Sequence, residues 1–195
     1  MKKFLKLFFL CSLIVSCKSW DAARIGVKKD PISPKLLTLD KRIEDIENVT
    51  FTYNEDGRKL YTKEVEENLV DPYGEKYGYI AISQNIIKSK MGMGWALLNC
   101  WTLFTPSLFG CPILRYKYVI EVELRILDSK NKLLGKYSAI GKGANSASMY
   151  FGYTIGKAER KSYIDALNDA FNQIRPQIQK DATVINEKLK SAGKL

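Results

Sequence analysis

Residues 116–127 run Tyr-Lys-Tyr-Val-Ile-Glu-Val-Glu-Leu-Arg-Ile-Leu, with Tyr116, Tyr118, Ile120, Val122, Leu124 and Ile126 on every second position. Lys117, Glu121, Glu123 and Arg125 fall between them. Side chains alternate across a strand with a period of two, so this stretch must be a β-strand with one face buried and one wet, as an antiparallel sheet permits. Asp128, Ser129, Lys130 and Asn131 supply turn residues, and residues 133–140 return as the partner strand of a hairpin. A sheet buried on one face needs a cover. From about Ala158 the apolar residues Ile164, Leu167, Phe171, Ile174, Ile178, Ile185 and Leu189 recur at mostly three- and four-residue steps, the stripe of an amphipathic helix. The fold class is therefore α+β: an antiparallel sheet with a packed amphipathic C-terminal helix. Pro176 removes a backbone donor inside that stripe, so a kink or a break is expected near Arg175. The part beyond it is the expected exposed, partner-contacting arm.

Upstream the periodicities conflict. Leu36, Leu39, Ile43, Ile46 and Val49 sit three or four apart, which predicts a short helix, while residues 49–53 alternate like a strand. Asn54, Glu55, Asp56 and Gly57 then read as a turn, because Gly57 accepts the positive φ of Asp-Gly turns. Residues 59–69 are ambiguous, and residues 77–83 are apolar and aromatic enough for a further strand. Residues 18–34 carry Pro31, Ser33 and Pro34 with little periodicity, which suits a flexible tether, with order beginning near Leu36. One domain is expected over residues 35–195.

Residues 91–114 contain no charge over 24 positions, between Lys88 and Lys90 on one side and Arg115 and Lys117 on the other. The length would suit a bilayer crossing. Gly92, Gly94, Pro106, Gly110 and Pro112 interrupt it, and irregular backbone is not tolerated in hydrocarbon, so a spanning helix is not expected. Two arrangements remain: a buried hairpin that adds to the core, or an exposed loop. In the second, Trp95, Trp101, Leu103, Phe104, Leu108 and Phe109 would meet the bilayer interface or another envelope protein. Cys100 and Cys111 bracket ten residues of this segment. In an oxidising envelope they are a candidate disulfide, adding roughly 2 to 3 kcal/mol for so short a loop; the other reading is two buried free thiols.

The N-terminus begins with Lys2, Lys3 and Lys6, continues uncharged over residues 7–15, and reaches small Ser16 before Cys17. This is the pattern of a secretory signal over residues 1–16, with an uncharged run about half the roughly 20 residues a membrane span needs. Ile14, Val15, Ser16 and Cys17 resemble the lipobox of bacterial lipoproteins. That resemblance implies a diacylglycerol on the Cys17 thiol, a further acyl chain such as palmitate, and Cys17 as the first mature residue, Cys11 being lost with the signal. Several chains on one cysteine hold a protein at a bilayer where a single chain binds only marginally. The membrane is then the first partner. Lys18 stands where inner-membrane retention signals of enteric bacteria carry aspartate, so the resemblance favours an outer-membrane location facing the periplasm, or exposure on the surface.

The chain has 31 basic and 21 acidic residues and a net charge of +10; without residues 1–16 it keeps 28 basic residues and every acid, or +7. The basic residues are spread without a run of like charge, a surface that favours anionic headgroups. No nucleic-acid partner is expected of a secreted, anchored protein. The absence of histidine removes His-based triads, Cys-His dyads and HExxH zinc sites. Gly141, Lys142, Gly143 and Ala144 lack the spacing of a phosphate-binding loop and read as a flexible turn. The acidic clusters at Asp40, Glu44, Asp45 and Glu47, and at Glu64, Glu66 and Glu67, read as solvated charges rather than a catalytic pair. No catalytic residue, cofactor or metal is expected.

The order of features is a lipobox, Leu69-Val70-Asp71-Pro72 before Gly78-Tyr79-Ile80, an uncharged segment ending Gly110-Cys111-Pro112, and an alternating strand pair. Tyr150-Phe151-Gly152-Tyr153 follows, before Ala166-Leu167 and Ala170-Phe171 of the last helix. This order is similar to a group of uncharacterised envelope lipoproteins of Gram-negative bacteria. More loosely it resembles small accessory lipoproteins that assist outer-membrane machines. The resemblance implies a lipid-anchored binding or accessory/assembly subunit with an envelope protein partner and no catalysis of its own. Other readings are a lipid-handling module built on residues 91–114 and an envelope enzyme acting on cell wall or lipid.

Overall fold

The computed structural model describes residues 26–43, 51–108, 110–148 and 153–195, with residues 51–54 and 108 described by backbone alone. Strand β1 (Asp40–Ile43) precedes helix α1 (Phe51–Glu64), which widens into a π-helical turn at Val65–Leu69. Strand β2 (Gly78–Gly92) follows, then the short helices α2 (Gly94–Trp101) and α3 (Thr105–Leu108). Strands β3 (Pro112–Asp128) and β4 (Leu133–Ser148) lead to the long helix α4 (Ile155–Ala192). The sheet order is β1-β2-β3-β4; β1 runs parallel to β2, and the other neighbours are antiparallel.

The alternation of residues 116–127 does what its period requires. Ile120, Val122, Leu124 and Ile126 are fully buried under α4, and Asp128 turns the chain by accepting the Lys130 and Lys132 amides at 2.8 Å. The partner strand runs further than residues 133–140. β4 continues through the Gly141-Lys142-Gly143-Ala144 stretch that reads as a flexible turn. The reason is the helix above it: a Cβ on Gly141 would stand 1.9 Å from the Ala166 carbonyl oxygen, and one on Gly143 2.0 Å from that of Ser162. Only glycine lets the α4 backbone lie this close to the strand.

The C-terminal helix is one element of 38 residues, unbroken at Pro176. Ile174 and Ile178 are buried on either side of the proline, and Arg175 makes a bidentate pair with buried Glu64, at 2.5 and 2.8 Å. Packing on both sides outweighs the single lost backbone bond, which is why the expected break does not occur. The expected exposed arm beyond Pro176 is also corrected. Ile178, Ala182, Ile185 and Leu189 belong to the core, and Asn186 holds the Leu37 amide and the Lys35 carbonyl, both at 2.9 Å.

The upstream segments depart most from the sequence reading. The helix expected over Leu36, Leu39 and Ile43 is instead extended chain: Leu36 bridges Val70, and β1 pairs with β2. The strand expected at residues 49–53 is overturned where the chain is described, since α1 starts at Phe51. Residues 49 and 50 lie outside the described residues. The expected turn at Gly57 lies within α1, where a Cβ would meet the Tyr163 hydroxyl at 2.7 Å. Packing begins earlier than Leu36, because Ile32 is in the core and its amide bonds the Asn68 carbonyl at 2.9 Å. Asn68 ties this strap down: it accepts the Asp30 amide and donates to the Lys28 carbonyl and to Glu64. Glu64 is thus a buried ion-pair member rather than a solvated charge.

Both helices cover the same face of the sheet. Tyr61 of α1 donates to the Ile80 carbonyl at 2.8 Å, and Tyr163 of α4 meets Gln84 of β2 at 2.7 Å. Burial pushes both tyrosine hydroxyls well above their ordinary range, so they remain neutral. Among the described residues, the opposite face of β2, β3 and β4 has no helix upon it and carries the charged residues of the alternation.

Candidate interfacial site at the hairpin tip

β2, β3 and β4 run on past β1 as three paired strands, and residues 91–114 cap the end of the β2–β3 hairpin within them. β1 pairs only with residues 79–82 of β2, whereas β2 and β3 stay paired out to Gly92 and Arg115. The cap is the exposed of the two arrangements compatible with the sequence. Trp101 is 92% and Leu103 88% exposed, Leu97 68%, Phe104 43% and Trp95 40%. Among the described residues of α2 and α3, the buried side chains are polar ones, Asn99 and Ser107.

These two residues explain how an apolar cap holds a shape without a core. The Asn99 side chain donates to the Trp95 carbonyl at 2.7 Å and to the Pro112 carbonyl at 3.1 Å, and accepts the Ser107 hydroxyl at 2.6 Å. Its own carbonyl accepts the Phe104 amide at 2.6 Å. Polar groups hidden from water must be paired, so this clasp fixes the ends of the cap against each other. The bend between the helices places Leu103 and Phe104 at φ 50° and 59°, a left-handed conformation that costs about 1–2 kcal/mol per non-glycine residue. The clasp holds that bend, and Leu103 stands in solvent at its apex.

Of the residues singled out in the sequence, the structure gathers Trp95, Trp101, Leu103 and Phe104 on this cap. The Leu108 side chain and Phe109 lie outside the described residues, as does Cys17 with the whole of residues 1–16. Cys100 and Cys111 are separate thiols here, Cys100 exposed and Cys111 half-buried. Exposed Met91, Met93, Leu97 and Leu98 extend the apolar surface beyond the residues singled out.

The sequence places Lys88, Lys90, Arg115 and Lys117 on the flanks of this segment, but not on one face of the sheet. Ile86 pairs with Ile120, but the next pair is Lys88 with Val119, so Ile87 is an extra residue bulged out of the ladder. A bulge inverts the alternation beyond it. Lys88 and Lys90 therefore leave the face of Ile80 and Ile82, and come to the open face. Cross-strand partners share a face in an antiparallel pair. Lys90 lies opposite Lys117, and Gly92 opposite Arg115, so the four cations Lys88, Lys90, Arg115 and Lys117 share one side directly below the cap. None of the four takes part in an ion pair with any described residue. The nearest carboxylate along β3 on this face is Glu121, four positions from Lys117, or roughly 13 Å at strand rise. A cleft of about 640 Å³ opens here, with Lys90, Met91, Gly94, Trp95, Arg115 and Lys117 in its wall.

Among the described residues, no group of histidine, cysteine or carboxylate side chains is placed to hold a metal, and no helix is long and apolar enough to cross a membrane. No family model and no curated protein matches the chain. Solved structures do resemble it. A candidate lipoprotein from Caulobacter crescentus CB15 is 11% identical with a TM-score of 0.33, covering 77% of this chain and 91% of that one. A candidate homologue of the neuraminyllactose-binding hemagglutinin from Helicobacter pylori is 10% identical with a TM-score of 0.40, covering 85% and 95%.

Proposed function

We propose that this protein is a lipid-anchored subunit of the bacterial cell envelope, held at the outer membrane through an acylated Cys17. It acts by binding rather than by catalysis, as an accessory or assembly factor. The working surface is the cap on the β2–β3 hairpin. The observation that carries this reading is the exposure of Trp101 and Leu103, at 92% and 88%, on a cap whose shape is held by buried polar bonds. Large exposed apolar surfaces on a folded domain mark contact sites, and tryptophan is enriched where such contacts form. The lipobox resemblance of residues 14–17 supports the anchor.

The test is a photo-crosslinking amino acid at Phe104, expressed in the full chain and activated in native membranes. Adducts to molecules outside the chain are the expected result. Crosslinks found only within the chain would overturn the reading, because the cap would then be covered by its own domain.

A further inference from the structure

We infer that the hairpin tip is a second membrane contact, with an anionic phospholipid bilayer as its occupant. The inference deepens the binding reading above and rests on it for the identity of the working surface. Trp95, Leu97, Trp101 and Leu103 form an apolar end, exposed by 40% to 92%, and Lys88, Lys90, Arg115 and Lys117 form a cationic belt immediately behind it. That order, apolar tip and then positive charge, matches the order of a bilayer surface met from water: acyl chains beneath, phosphates above. Tryptophan and basic side chains are the residues that settle at that boundary.

Charge complementarity decides among the occupants. A second copy docking tip to tip would bring two belts of four unpaired cations together, a repulsion that no carboxylate of β3 on their own face of the sheet relieves closer than Glu121. An anionic surface reverses the sign of that term, and each cation near such a surface strengthens binding about fivefold. The cleft beside Lys90, Arg115 and Lys117 is open and of a size for a lipid headgroup. Arg115 offers it a planar fork of donors suited to phosphate. Reach also favours the bilayer. Nine peptide steps separate Cys17 from Gly26, a span of at most ~32 Å, so the anchor keeps the domain close to the membrane. A tip that also touches the bilayer would fix the orientation of the whole domain on it.

The tryptophans Trp95 and Trp101 report the tip directly. The full lipid-modified chain carrying Trp20→Phe keeps these two tryptophans alone. It would be reconstituted in phosphatidylcholine vesicles with and without phosphatidylglycerol. With phosphatidylglycerol, the expected emission is blue-shifted, shielded from iodide and quenched by brominated acyl chains. Lys90→Gln, Arg115→Gln and Lys117→Gln should each lower the ratio of docked to undocked tips about fivefold, with the triple variant behaving as in neutral vesicles. Water-like, iodide-quenched emission in the anionic vesicles would overturn the inference, as would acyl-chain quenching that the triple variant leaves intact. Shielding that appears only when envelope proteins are co-reconstituted would also overturn it, while leaving the binding function standing.

Discussion

At Gly141 and Gly143 the place a side chain would fill is occupied by the backbone of α4. Gly156, at the start of the same helix, has nothing within 4 Å of the equivalent position. The two kinds of glycine should respond oppositely to a methyl group. Gly141→Ala is expected to lower the unfolding free energy by at least about 2 kcal/mol, because neither backbone can yield cheaply. Gly156→Ala should leave it unchanged or raise it by about 0.5 kcal/mol. Urea unfolding of the two variants checks this, and equal effects would show that α4 does not lie so close to β4. The sequence carried the relevant spacing, Gly-Lys-Gly-Ala against Ser162, Ala166 and Ala170 of the helix. It could not be read from either stretch alone. Glycine weakens a strand locally, and its compensation here comes from another element.

Elements whose pattern is set by one buried face were legible, and those set by several partners were not. β3 and α4 bury one stripe each, so period and burial coincide. Leu36, Leu39 and Ile43 have helical spacing by coincidence, since each faces a different neighbour along an extended chain. The cap shows both outcomes. Its lack of charge is plain in the sequence, and so is its aromatic content. The basic belt is hidden, because the bulge at Ile87 moves Lys88 and Lys90 onto the face of Lys117 and Arg115. The clasp was hidden too, since a single asparagine in an apolar run has no pattern. Asn99→Ala removes bonds to two carbonyls and to Ser107. Hydrogen exchange of the amides in residues 94–108 should then accelerate roughly tenfold, as expected for loss of about 1 to 1.5 kcal/mol of local stability, while the melting temperature of the domain stays put. A matching fall in global stability would mean that the cap and core unfold as one unit.

Across the whole molecule, folding and contact are assigned to different places. The main core lies between the sheet and the helices α1 and α4, from Ile32 in the strap to Leu189 near the end of the chain. A smaller apolar group of Tyr116, Ala147 and Ala158 closes the sheet where the hairpin emerges. Beyond it the apolar side chains Trp101 and Leu103 contact water rather than the core, so nothing in the fold depends on them. The separation is what lets a cap of this kind engage a membrane or a partner without loosening the domain. The melting temperature of the Trp101→Ser, Leu103→Ser double variant measures it most directly. A midpoint within about 1 °C of the parent is the expected result, as for exposed substitutions far from structural features. A fall of about 5 °C or more, equivalent to roughly 1.5 to 2.5 kcal/mol for a domain of this size, would contradict it and make the cap a part of the core.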